Sequence, residues 1–242
     1  HEQAELMTGS KNWSAGDVLN AADVNSILAD QVVMTFADSA ARDAGFGGAG
    51  EPTLAEGMFC YLTGSNEFQY YNGSAWQPAV GLNPTATGTF SGATSFSVDG
   101  CFTSTWAHYR IVVAITDITS NGTITMRLRA SSSDDSTSNY DYQFLEATST
   151  SVSVSTSMGA SSFRITYSYG TPGDAMLVID LTNPQATEMT QIQGRGSTVN
   201  GTTHMLRDST DGYFRTTTAF DGFSILQGSN IAGSYGVYGY GD

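Results

Sequence analysis

Charge is scarce in this sequence. Charged residues make up 13% of the 242, against roughly 25% in an ordinary soluble domain. The basic side is the thinner one: Lys11 and eight arginines face 23 carboxylates, for a net charge of −14. So few cations cannot neutralise a phosphate backbone, and nucleic acid is not an expected partner. No apolar run approaches the ~20 residues that span a bilayer, and no basic amphipathic helix is available to lie on one, so membrane insertion is not expected. Cysteine is limited to Cys60 and Cys101, without CxxC or Cys/His spacing, which argues against zinc. Two buried thiols are expected, with a disulfide between the two halves as the alternative. No cofactor or metal is expected.

Aliphatic residues are also sparse. Leu, Ile, Val and Phe together reach only about 19%, near the level at which disorder becomes plausible if net charge is high. That condition is not met, and 12 Tyr, 12 Phe and 3 Trp supply bulky apolar surface of a kind disordered chains lack. The chain reads as folded, and at this length its core needs no disulfide staples. Ser and Thr fill about a quarter of it, a composition of hydroxyl-rich β proteins.

The helical signal is confined to the start. Asn20 can cap a helix to about Gln31, with Val24, Ile27, Leu28 and Val32 at helical spacing. A short strand is expected over Val32 to Phe36, then a second short helix capped by Asp38 and ending near Gly45. From Gly57 to Trp76 a β-meander is expected: Met58 to Leu62, Phe68 to Tyr71, a two-residue turn at Asn72-Gly73, and a third strand starting at Trp76. Gln77 to Thr87, with Pro78, Gly81 and Pro84, reads as a linker, which places a boundary near Val80.

Beyond it nearly every window reads as strand and turn. Tyr109 to Ile118 is mostly apolar and should lie centrally. Asn121-Gly122 turns into Thr123 to Arg129, where Ile124, Met126 and Leu128 alternate with Thr125, Arg127 and Arg129. Further strands are expected over Tyr140 to Leu145, Ser151 to Ser155, Phe163 to Tyr169, Ala175 to Leu181, Met189 to Gly194, Gly222 to Gln227 and Ser234 to Tyr240, with Ser131 to Asn139 as an exposed loop. The expected fold is therefore mainly β: a small N-terminal helix and β-meander module over residues 1–80, then an antiparallel β-sandwich, jelly-roll-like, over 81–242.

Candidate chemistry is thin. Gly45 to Gly50 has the spacing of a dinucleotide fingerprint, but Glu51-Pro52 follows instead of a helix and no βαβ unit surrounds it, so it reads as a linker. The bases available to a nucleophile are His108 and His204 apart from His1, and neither sits in a catalytic motif. A glycosidase pair would have to come from Asp174, Asp180, Asp208, Asp211 and Asp221, and Asp211-Gly212 and Asp221-Gly222 read as turns. Asp134, Asp135 and Asp141 lack calcium-loop spacing and read as a solvated loop. Acceptor tripeptides for glycosylation begin at Asn12, Asn72, Asn121 and Asn200, and three of these are Asn-Gly turns. No acid, base or nucleophile constellation emerges, and a non-enzymatic role is expected.

Two stretches carry a resemblance. Trp13 to Phe36, WSAGDVLNAADVNSILADQVVMTF, followed by Ala-Ala-Arg-Asp at Ala40 to Asp43, a looser Glu-Gly-Met turn within Glu51 to Met58, and Tyr-Asn-Gly-Ser-Ala-Trp at Tyr71 to Trp76, resembles a module of structural proteins of tailed bacteriophages. Residues Gly47 to Thr53 are an insertion relative to the tighter turn of that module. Phe223 to Tyr240, with Gly228-Ser229-Asn230-Ile231 and Val237-Tyr238-Gly239-Tyr240, is similar to the last strand pair of β-sandwich domains in the same class. Together they cover about half the chain. The resemblance implies a virion protein of minor tail, tail-fibre, collar or head-appendage type, a homo-oligomer and by family expectation a trimer, partnered by neighbouring virion proteins. It leaves capsid decoration or cementing open, and a carbohydrate-binding module that contacts a host-surface glycan through exposed aromatic residues is the rival reading.

Overall fold

The computed structural model describes residues 33–48, 53–79, 81–148, 150–170, 173–200 and 204–241. The helix expected from Asn20 lies outside them. The chain divides into two compact units, His1–Gly81 and Leu82–Asp242.

In the first unit, β1 (Met34–Phe36) leads into the short helix α1 (Ser39–Asp43), where the Asp38 side chain accepts from Ala41 N at 2.8 Å, as an N-cap should. β2 (Phe59–Leu62) runs parallel to β1, and β3 (Glu67–Tyr71) and β4 (Trp76–Pro78) complete an antiparallel meander. The turn between β3 and β4 is longer than the two residues expected: Tyr71 pairs with Trp76, and Asn72 Oδ1 accepts from Ser74 N and Ala75 N at 3.0 and 2.8 Å. An Asx turn has displaced the tight hairpin. Under the meander Arg42 is buried, donating to Gln69 Oε1 with its guanidinium 5.2 Å from the Trp76 ring centre.

The second unit is one hydrogen-bonded sheet folded onto itself. Its strands are β5 (Asn83–Val98), β6 (His108–Ile118), β7 (Gly122–Ala130), β8 (Ser133–Asp134), β9 (Tyr140–Ala147), β10 (Val152–Ala160), β11 (Phe163–Ser168), β12 (Gly173–Thr182), β13 (Thr190–Asn200), β14 (His204–Phe214) and β15 (Gly222–Tyr240). β15 organises them. One of its edges pairs with β5 at both ends of its length; the other is divided, with residues 222–226 against β7 and 231–240 against β6. The sheet therefore forks. One branch runs β6-β12-β13-β14-β9-β10, the other β7-β11, and β11 packs back over β13, β14 and β9. This is how a single sheet makes a sandwich.

The fork has a structural cause. Between Leu226, opposite Ser95, and Ile231, opposite Ala93, β15 bulges through residues 227–230, and Gly228 takes φ +87°, which glycine adopts without a Cβ penalty. Gln227 is buried at this corner. Its Nε2 donates to Ser120 O at 2.8 Å and Ser168 Oγ at 3.2 Å, while its Oε1 accepts from Ser229 N at 2.6 Å. Asn121-Gly122 accordingly does not close a hairpin between neighbours: β6 and β7 part at the corner and pair with different halves of β15.

Several further expectations are corrected. Gln77 to Thr87 is not all linker, because β4 reaches Pro78 and β5 begins at Asn83. The two expected strands near the end are the single β15. Asp211-Gly212 is no turn but part of β14, where a Cβ on Gly212 would lie 2.1 Å from Asp141 O, so close strand approach selects the glycine. β6 is central, as its apolar run implies, between β12 and β15.

The core lies between the branches. Tyr109, Ile111, Val113 and Ile115 of β6 and Leu177, Ile179 and Leu181 of β12 face inward with Ile124, Met126 and Leu128 of β7, Phe163 and Ile165 of β11, and Phe223 and Ile225 of β15. Each such side chain contributes about 1.5–3 kcal/mol on burial. Both cysteines are buried free thiols, and burial raises the Cys101 pKa to about 12. The Tyr140 hydroxyl accepts from Leu128 N and donates to Asp135 O, each at 2.9 Å, which ties the serine-rich loop to β7.

A buried carboxylate faces the interior of the sandwich. Asp208 of β14 accepts from Thr166 Oγ1 at 2.6 Å and Tyr167 N at 3.0 Å, while its Oδ1 has no hydrogen-bond partner among the described residues. Desolvation by burial raises its pKa from 3.8, against the opposing pull of those hydrogen bonds. The folded protein thus holds this proton more tightly than the unfolded chain does. The stability this contributes is complete below the unfolded pKa and is lost as pH rises through the raised folded value. Asp208→Asn has no such proton. The melting temperature of the variant minus that of the wild type should therefore grow as pH rises above the ordinary carboxylate range; a flat or falling difference in thermal melts would refute it.

Candidate functional site

The outer face of the longer branch carries the most open chemistry of the second unit. Strand alternation sends one set of side chains of β12, β13, β14, β9 and β10 outward, and the register arranges them in rows across the strands. One row reads Arg110, Asp180, Gln193, Asp211, Gln143, Thr156. The row on one side of it contains Thr182, Gln191 and Tyr213. On its other side lie Val178, Arg195, Ser209, Leu145 and Val154, and beyond them Met176, Ser197, Arg207, Ala147 and Val152. The face has two unlike halves.

The first half is polar and uncharged apart from its carboxylates and Arg110. Arg110 holds Asp180 in a two-pronged contact, Nε to Oδ1 at 2.7 Å and Nη2 to Oδ2 at 2.9 Å, and that bond raises the arginine's own pKa. Gln143, Gln191, Gln193, Asp211 and Tyr213 form no side-chain hydrogen bond within the described residues. Two depressions meet at Tyr213 and Gln191. One, of about 470 Å³, is lined by Gln143, Thr156, Met158, Gln193 and Asp211 together with that pair. The other, of about 520 Å³, adds Thr182, Glu188, Met189 and Thr217.

The second half is apolar with two cations. A depression of about 480 Å³ is lined by Leu145, Ala147, Met176, Val178, Arg195 and Arg207 among others. Arg110, Arg127, Arg129, Arg164, Arg215 and, in the first unit, Arg42 are each in an ion pair; among the described residues Arg195 and Arg207 are not. They sit diagonally on adjacent strands, since Arg195 is opposite Ser209 and Arg207 opposite Ser197. Across β9 from Arg207, β10 is an edge strand, paired among the described residues only with β9, with Val152 68% and Val154 70% exposed; Met176, on β12, is 53% exposed.

The other residues singled out in the sequence do not converge. Asp208 points inward and Asp211 outward. Asp174 is exposed near the start of β12. Asp221 accepts from Ser131 N at 3.2 Å. His108 lies 3.3 Å from Thr182 Oγ1 with its ring 5.5 Å from that of Tyr240, and His204 opens β14. Asp134 is bound to Arg129 and Ser224, Asp135 to Thr137, and Asp141 to Gly159 N and Arg215. Among the described residues no group of three or more His, Cys, Asp or Glu could hold a metal ion. The glutamine row had no signal in the sequence, because its members come from separate strands and only the register assembles them. Comparison with protein-family models, curated proteins and solved structures gives no match.

Proposed function

We propose that the chain is a non-enzymatic structural protein of a bacteriophage virion, part of an oligomeric tail, fibre or other surface appendage, whose copies join through the arginine-bearing half of the outer face. The resemblance of residues 13–76 and 223–240 motivates the virion assignment, with the N-terminal module as the part attached to the particle or to sister subunits. The observation that carries self-association is the open edge of β10 with its own exposed Val152 and Val154. A strand edge with unpaired backbone groups and apolar side chains invites another chain unless it is covered. Arg195 and Arg207 supply the polar complement, because any copy of a chain with 23 carboxylates offers acidic partners. Covering a cation-bearing apolar patch with an isologous or cyclic neighbour is what closed symmetry does.

The test is light scattering on the wild type and on Val152→Asp with Val154→Asp, paired with a reconstruction of particles. The expected result is an oligomer, threefold by the resemblance, that the double variant converts to monomer while its melting temperature changes little. A monomeric wild type, or an oligomer indifferent to both substitutions, would refute this interface. Absence of the chain from particles would refute the virion assignment.

A further inference from the structure

We infer that the polar half of the outer face, centred on Tyr213 with Gln143, Gln191, Gln193 and Asp211, is a binding site for a neutral oligosaccharide. The inference is independent of the virion assignment and of the arginine-bearing interface, since it uses different rows of the face.

The first reason is unspent hydrogen-bonding capacity. Three carboxamides, each a donor and an acceptor, one carboxylate and one phenol stand side by side without a side-chain hydrogen-bond partner among the described residues. Gln193, Asp211 and Gln143 occupy one row on three successive strands, about 4.8 Å apart. That is an alternating supply of acceptors and donors, which suits a ligand bearing adjacent hydroxyl groups, each itself donor and acceptor.

The second reason is shape. Tyr213, 38% exposed, stands at the junction of the two depressions and belongs to the lining of both. Each depression falls within the roughly 300–1,000 Å³ of small-molecule sites, and together they make an elongated groove with an aromatic residue at its centre. An amphipathic ring there offers a flat apolar surface with a polar tip, which matches the apolar C–H face of a pyranose. Met158 lines one depression and Met189 the other, and both are exposed, adding soft apolar contact.

The third reason is charge, which selects the class of sugar. The only cation in these rows, Arg110, has its guanidinium engaged by both oxygens of Asp180, whereas Asp211 and Glu188 line the groove. With a net charge of −14, a uronate, sialate or phosphate-bearing chain is repelled. The same contact bears on chemistry. Asp180 and Asp211 flank Gln193 on alternate strands, but a hydrolytic pair needs two available carboxyl groups, and Asp180 is committed to Arg110. The groove binds and does not cleave.

The probe is a panel of neutral oligosaccharides built from glucose, galactose, mannose and N-acetylhexosamines, beside uronic-acid and sialylated ones, applied to the full chain on an array and followed by titration calorimetry. The expected result is binding confined to neutral members. Tyr213→Ala should weaken the Kd at least about tenfold, and Gln193→Ala about three- to tenfold, the size of one or two hydrogen bonds. Both positions are on the surface, so melting temperatures should stay within a few degrees of wild type and a lost fold is distinguishable from a lost site. Failure of every neutral member to bind, binding of acidic members only, cleavage of the bound sugar, or binding unchanged by both substitutions would each overturn the inference. None of these outcomes would alter the oligomer or its place in particles.

Discussion

Phe223→Ala should be the most damaging single substitution in the second unit, at about 3–5 kcal/mol, the range for emptying a buried phenylalanine site. Phe223 has no exposed surface. Its ring lies 6.2 Å from Phe96, edge-on, and 6.0 Å from Phe102, while its backbone is opposite Val98 on one side and Leu128 on the other. Relaxation into the vacated space would require β15 to move, and β5 and β7 hold it by hydrogen bonds along both edges. The void should persist, and its cost adds to the lost transfer free energy. At roughly 2–4 °C per kcal/mol for a domain of this size, calorimetry should record a fall of roughly 10 °C. A change below about 1 kcal/mol would mean that the two branches are not packed as described. Phe223→Leu should recover most of the loss.

Arg129→Ala should come second, at about 3 kcal/mol, the lower end of the cost of removing one partner from a buried ionic group. Arg129 follows Leu128 on β7 and therefore points away from the core, yet its side chain is only 11% exposed. Nε reaches Asp99 Oδ1 at 2.7 Å, Nη1 reaches Ser224 Oγ at 3.1 Å and also binds Asp134, and Nη2 binds Ser132 O. Ser224 in turn donates to Asp134 at 2.6 Å and meets Ser97 at 2.7 Å. One guanidinium thus joins the end of β5, the loop with β8, and β15. Without it Asp99 and Asp134 are left without their shared cation. Arg129→Lys should restore little, because a single ammonium cannot span this fork of acceptors. Urea unfolding is the measurement: a lower midpoint at unchanged slope is expected, and an unshifted midpoint would show that the network contributes nothing.

Phe223 and Arg129 also mark what the sequence discloses. β7 was legible because its inner residues are Ile124, Met126 and Leu128 and its outer ones polar, a clean period of two. β5 was not: it has Pro84, Gly88 and Gly92, and between its buried ends every residue is exposed or half-buried, because among the described residues it pairs with β15 alone. β14 was hidden for a different reason. Where its side chains turn inward they include Asp208 and Thr210, and Gly212 takes the next inward position, so the hydrophobic period that identifies a strand is missing. The fork could not be read either, since β15 changes partner at a bulge whose Gly228 looks in the sequence like any turn glycine. At the candidate site Asp211, followed by Gly212, reads in the sequence as a turn. Gln191 and Gln193 are two apart in the sequence, and nothing local links them to Gln143 or Tyr213.

The divided edge of β15 has a consequence for how the second unit forms. Thr85 and Val237, hydrogen-bonded across β5 and β15, are 152 positions apart, and β15 follows in sequence every strand it joins. The hairpins β9–β10, β12–β13 and β13–β14 can close locally, but among the described residues no strand pairing links the β7 branch to the β6 branch until β15 threads between β5 and both. Such non-local pairing makes acquisition of the native state slow. In the interval β5, β6 and β7 expose uncapped edges to other nascent chains. The corner at Gln227 therefore acts as the latch of the folding reaction, and the rate at which it closes sets how long the chain is open to misassembly.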